Sequence, residues 1–151
     1  MRRRVAIFTT FGSYSEAYSL NRVVMDQIKM LVNEGYNPVV IVGSTFKPVK
    51  AYALPEVEIR HIPDVPVHNE VRKDPTFDQD VLAIERELEV CLKDVDVVLT
   101  HDIVYQPAAL KHNIAARRVA KRNPNLLWMH WIHSATSPFV LTKHRSEFSD
   151  E

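Results

Sequence analysis

A chain of 151 residues, 46% hydrophobic and 25% charged, suffices for one globular core and is too short for two full domains, since single cores serve chains of about 100 to 200 residues. Its 19 basic residues balance 19 acidic ones, so no overall field draws it to nucleic acid or to an anionic membrane. The single cysteine, Cys91, excludes an intrachain disulfide and a thiolate metal cluster and suits a reducing cytoplasm.

In chain order, Arg2-Arg3-Arg4 precede the short apolar run Val5-Ala6-Ile7-Phe8. That run is far below the about 20 residues of a membrane span and lacks the apolar core of a signal peptide, so a solvated strand start is expected and no integral membrane segment. Residues 5–9 read as a strand covered on both faces. The turn Phe11-Gly12-Ser13-Tyr14-Ser15 follows, with Ser13 or Ser15 expected as helix N-cap and Glu16 completing a Ser-x-x-Glu box. Leu20, Val23, Val24, Ile28 and Leu31 then recur at helical spacing, and Gly35 suits the left-handed residue that stops a helix.

Residues 38–43 form a second buried strand, residues 44–55 show no period, and residues 57–62 alternate as a short third strand. A polar loop over residues 67–77 carries His68, Arg72 and Lys73 at its tip. Val81, Ile84, Leu88 and Cys91 mark a helix in which the thiol is buried and inert. The fourth strand covers residues 95–100, a helix covers 107–119, and the fifth strand with its exit covers 126–133. Trp128 is assigned to the core and Trp131 to the rim. One domain is expected over residues 1–138, followed by a polar, frayed tail over 139–151.

Strands alternating with helices specify an α/β fold, a Rossmann-like open and mostly parallel sheet with helices on both faces. Ligands in such sheets bind beyond the carboxyl ends of the strands. Those ends carry Gly12, Ser13, Tyr14 and Ser15 as a cradle for an anion or sugar hydroxyls, then His101-Asp102, and finally His130 and His133. The lone glycine of the first turn falls short of the Gly-x-Gly-x-x-Gly fingerprint and no Walker A motif is present, which argues against nicotinamide, flavin and P-loop chemistry. His130-x-x-His133 fits no metal motif and no metal site is expected; a histidine here suits orienting a hydroxyl or shuttling a proton. No Gly-x-Ser-x-Gly elbow follows any strand, and no paired carboxylates for glycoside cleavage stand out.

In order, the strand Val5-Ala6-Ile7-Phe8, the Gly12 turn, Asn33-Glu34-Gly35-Tyr36 before Val39-Val40-Ile41-Val42, the run from Asp94 to Asp102, and a last strand leaving through a histidine resemble the N-terminal half of a retaining GT-B glycosyltransferase. The family is the large one that builds polysaccharides, glycolipids and glycoconjugates. The resemblance spans residues 5–138. It implies a half that mainly binds the acceptor of a hexose transferred from a nucleotide diphosphate sugar. Gly12 would lie near the donor diphosphate, and His130 or His133 near the donor sugar. The sequence departs from the family in having one glycine in the turn where two adjacent ones are common. It also has no room for the second half, which binds most of the nucleotide sugar and carries a Glu-x7-Glu motif. The expected partners are therefore a sugar or glycoconjugate acceptor and a C-terminal GT-B half in cis or in trans. No cofactor is expected on this half, and alone it should not turn over. The alternative is a non-catalytic Rossmann-like binding or assembly module.

Overall fold

Valine and isoleucine fill residues 39–42 because a strand covered on both faces has no polar side to offer, and the second strand is buried along its whole length. The computed structural model describes residues 3–50, 52–64, 74–103 and 106–133; the loop tip with His68, Arg72 and Lys73 and the polar tail lie outside them. The elements are β1 (Val5–Phe8), α1 (Ser19–Asn33), β2 (Val39–Gly43), β3 (Glu58–Ile62), α2 (Phe77–Cys91), β4 (Val97–His101), a 3₁₀ turn (Pro107–Ala109), α3 (Leu110–Arg122) and β5 (Leu127–Trp131). The strands form one sheet in the order β3-β2-β1-β4-β5, and every pair is parallel. This is the Rossmann-like α/β arrangement read from the sequence.

Alternating side chains of the central strands supply two cores. Ala6 and Phe8 of β1, Val39 and Ile41 of β2 and Val98 of β4 pack under α2 and α3. Val5 and Ile7, Val40 and Val42, and Val97 face α1, with Phe46 and Tyr52 from the segment after β2. That segment replaces the usual crossover helix: Tyr52 is fully buried, stacks on Phe46, and donates its hydroxyl to the Asn21 carbonyl at 3.1 Å. Burying each such side chain contributes about 1.5–3 kcal/mol.

Helix α1 starts later than its cap signal suggested. Its N-cap is Tyr18 with no side-chain cap bond, and the Ser15 N–H donates instead to Asn21 Oδ1 at 2.8 Å. The expected Ser13–Glu16 box does not start the helix because aromatic packing fixes the turn. Phe11 meets Tyr18 edge to face at 5.9 Å, and Tyr14 meets Tyr52 at 5.6 Å. At the other end Gly35 takes φ 75°, as its place after the helix requires.

At the amino ends of the strands Arg4 pairs with Glu58 and Asp94, while Arg60 reaches Asp94 Oδ1 and the Cys91 carbonyl, both at 2.5 Å. Burial pushes the Cys91 thiol up to about 11, in keeping with an inert core residue. At the opposite edge, Leu127, Met129 and Trp131 pair in register with Val97, Leu99 and His101, yet all three remain exposed. Trp128, on the other face of β5, packs against the core.

Candidate functional site

Strand order places the topological switch between β1 and β4, where the chain leaves in opposite directions from the centre of the sheet; this is where open α/β sheets hold their ligands. A cleft of about 390 Å³ opens there at the carboxyl ends, lined among others by Gly12 after β1, Gly43 of β2, Asp64 after β3, and His101-Asp102 at the end of β4. Ala108 and Ala109 of the 3₁₀ turn and His112 in the first turn of α3 complete the lining.

Its walls are knitted together by backbone and carboxylate bonds. The Gly43 N–H donates to the Phe11 carbonyl at 2.8 Å, and Thr45 Oγ1 donates to the Gly12 carbonyl at 3.1 Å. Asp64 Oδ2 accepts from the Ser44 hydroxyl and the Thr45 N–H, both at 2.6 Å. Burial pushes the Asp64 carboxyl upward, but these donors outweigh it and hold the group below the usual carboxylate range. A side chain at position 43 would run into that carboxylate and would stand 3.1 Å from the Phe11 carbonyl. Glycine at 43 is thus a condition for Asp64 reaching the turns.

Asp102 has φ 53°, an unfavourable backbone for a residue with a side chain and one that concentrates at functional sites. Two bonds hold it there: its N–H donates to the Trp131 carbonyl at 3.0 Å, and its Oδ1 accepts the His133 N–H at 2.6 Å. Its charge, after burial, also raises the pKa of the Tyr18 phenol, and Tyr18 is itself part of the cleft lining. The β4 end and the first turn therefore face each other across the cavity.

His101 is 3% exposed. Burial foremost, then the neighbouring His133, depress its pKa to about 4, so the ring is neutral at pH 7. With Nε2 donating to Gln27 Oε1 at 2.7 Å, Nδ1 is left as an acceptor facing His133 Nε2 at 3.1 Å. Trp131 lies nearly parallel to the His101 ring, centroids 6.2 Å apart.

The candidates read from the sequence divide accordingly. Gly12, His101 and Asp102 line the cleft. Ser13, Tyr14 and Ser15 do not line it; Tyr14 serves the α1-side core. His133 stands behind His101, whereas His130 bonds Thr100 Oγ1 through Nδ1 at 2.8 Å on the opposite face of the sheet. Asp64 and His112 went unrecognised as site residues. For Asp64 a signal existed, since it follows the third strand at the carboxyl end; for His112, in the first turn of a helix, there was none.

Among the described residues no group of three His, Cys, Asp or Glu is placed to hold a metal ion, and no helix is long and apolar enough to cross a membrane. The fold and the cleft define an α/β chain with a polar crevice at its switch point. No protein-family model matches the chain, and no curated protein matches it.

Proposed function

We propose that this chain is the acceptor-side half of a GT-B glycosyltransferase, whose cleft holds an uncharged polyhydroxyl group while a second α/β half brings the nucleotide diphosphate sugar. The observation that carries the reading is the chemistry of the lining. Two carboxylates, Asp64 and Asp102, and two imidazoles, His101 and His112, converge on one cavity with no Lys or Arg among its described residues. Carboxylates accept from paired sugar hydroxyls, whereas a diphosphate would meet two negative charges. In the complete enzyme the bond between the hexose and the diphosphate breaks, the diphosphate leaves with the electron pair, and the acceptor oxygen forms the new bond as its proton departs. This half contributes by fixing that oxygen, and no metal or cofactor is assigned to it. The single buried thiol and the balanced charge support a cytoplasmic setting.

Saturation-transfer NMR with the methyl glycosides of glucose, mannose and galactose tests this directly. At least one should receive saturation, and none doing so would end the carbohydrate reading. In the complete enzyme, His133→Ala should slow transfer through its bond to His101, while His130→Ala should leave it near wild type. The reverse order would place the site on the wrong face.

A second reading, a non-catalytic assembly module, is favoured by the exposed strip Leu127, Met129 and Trp131 on β5, an edge strand of the sheet among the described residues, since an edge with apolar side chains invites pairing. It requires a concentration-dependent dimer that Met129→Lys dissolves, and a monomer at all concentrations in sedimentation would exclude it.

A further inference from the structure

We infer that Gln27 is a positioning residue: its side-chain oxygen fixes the tautomers of His101 and His133 so that His133 Nδ1 is left as a bare acceptor. The inference rests on the carbohydrate reading above only for its use, because a bare nitrogen accepts a hydroxyl hydrogen and a protonated one does not. Gln27 is 6% exposed and lies on the buried stripe of α1 with Leu20, Val24, Ile28 and Leu31. A buried amide costs stability unless its atoms are bonded, and its Nε2 has no partner. What its Oε1 does is accept from His101 Nε2 at 2.7 Å.

That one oxygen sets the atoms beyond it. An amide oxygen only accepts, so His101 Nε2 carries the proton, and the neutral ring keeps its lone pair at Nδ1. The lone pair faces His133 Nε2 at 3.1 Å; this nitrogen is therefore the N–H, and His133 Nδ1 is bare. The shape of the contact is that of a hydrogen bond. The ring planes lie 18° apart and the centroids 5.4 Å apart, close to the N···N distance plus two ring radii, so the nitrogens meet edge on. Two imidazoles in line across a metal ion, each at about 2.0–2.1 Å, would hold their nitrogens about 4 Å apart. Trp131 flanks both rings, its centroid 6.2 and 6.3 Å from theirs. The His133 N–H donates to Asp102 Oδ1 at 2.6 Å, which ties the exposed end of the relay to a cleft residue.

The test uses the full chain with isotope-labelled histidine at about pH 8, above the ordinary imidazole value of about 6.5. Long-range nitrogen–proton correlation spectra distinguish a bare ring nitrogen from a protonated one. In the wild type, Nδ1 of His101 and Nδ1 of His133 should both resonate as bare nitrogens, with a scalar coupling between His101 Nδ1 and His133 Nε2 across their bond. Gln27→Leu and Gln27→Met remove the acceptor. Because a buried orphan N–H is rarer than an orphan acceptor, both tautomers should then reverse, and His133 Nδ1 should shift to the protonated position. Gln27→Glu keeps an accepting oxygen and should keep the wild-type pattern. A proton on His133 Nδ1 in the wild type would overturn the proposal without any variant. So would an unchanged pattern in the folded apolar variants, or a reversed one in Gln27→Glu. If neither apolar variant folds, the wild-type coupling from the His101 Nε2 proton to the Gln27 side-chain carbonyl carbon decides, and its absence overturns the proposal. No ligand enters these spectra, so their outcome is separate from that of the glycosides, which test the carbohydrate reading.

Discussion

Asp102 lends itself to a substitution series that separates backbone from carboxylate. Its φ of 53° costs an ordinary L-residue about 1–2 kcal/mol, which Asn and Asp partly escape and glycine does not meet. Its Oδ1 accepts the His133 N–H at 2.6 Å. A bond to a charged acceptor is worth about 1.5–3 kcal/mol, and partial exposure brings that toward about 1 kcal/mol. Asp102→Ala should lose the bond and carry the backbone strain in full, about 2 kcal/mol or a drop of about 4–8 °C in thermal midpoint. Asp102→Gly should lose the bond but relieve the strain, and so stay within about 1 kcal/mol of wild type. Asp102→Asn should keep both features and fall by less than about 0.5 kcal/mol. Circular-dichroism melts supply the midpoints, and glycoside titration supplies the binding. Glycine and alanine variants should both lose binding by more than about tenfold, because each removes a carboxylate from the cleft. A glycine variant as unstable as the alanine variant would show that no strain resides at this residue. A glycine variant that binds like wild type would show that the carboxylate serves the fold alone.

Gly43→Ala should cost about 1–3 kcal/mol by overpacking against Asp64, and most of that cost should vanish in an Asp64→Ala background in a urea-melt cycle; an additive result would remove Asp64 from contact with position 43. Lys111, 3% exposed and held by two carboxylates and the Phe77 ring, should lose about 3–5 kcal/mol as Lys111→Ala, and a urea-melt loss under about 1 kcal/mol would mean that the ammonium is solvated. Stability should fall with pH in two windows. His101 and His112 are depressed to about 4, so the unfolded chain binds more protons below its ordinary histidine value near 6.5. Each therefore removes up to about 1.4 kcal/mol per pH unit between about 6.5 and 4, and His112→Leu should flatten that slope by about half. Glu58 and Asp94 are lowered chiefly by their bonds from Arg60, and with Asp64 they contribute stability present above pH about 4 and lost as pH falls through their folded values. Equal stability at pH 7 and pH 5 would contradict the histidine assignment.

Five strands and three helices were legible because this fold writes them in composition. Val39-Val40-Ile41-Val42 can only be covered on both faces, and Leu20, Val24, Ile28 and Leu31 keep one stripe. The strand ends pointed to the cleft, so Gly12, His101 and Asp102, which line it, could be named from position alone. The start of α1 was not legible, because Ser13 and Glu16 carry the cap pattern while Phe11, Tyr14 and Tyr18 fix the turn through rings that meet only in the folded chain. His130 and His133 were inseparable in sequence. The register Thr100↔His130 puts one on the α2 and α3 face, and the chain's exit brings the other to His101. Asp64 was hidden beside Pro63 at a strand end, and its reach depends on a bare Gly43 on the neighbouring strand, brought to it by the pairing of β2 with β3. His112 was hidden as one polar residue in an amphipathic helix.

The cleft's identity as a sugar-hydroxyl site is tested most directly by amide correlation spectra of the full chain, recorded during titration with a methyl glycoside that receives saturation. Shifts should cluster at Gly12, Gly43, Asp64, His101, Asp102 and His112. Shifts confined to the exposed strip of β5, or none anywhere, would contradict the account.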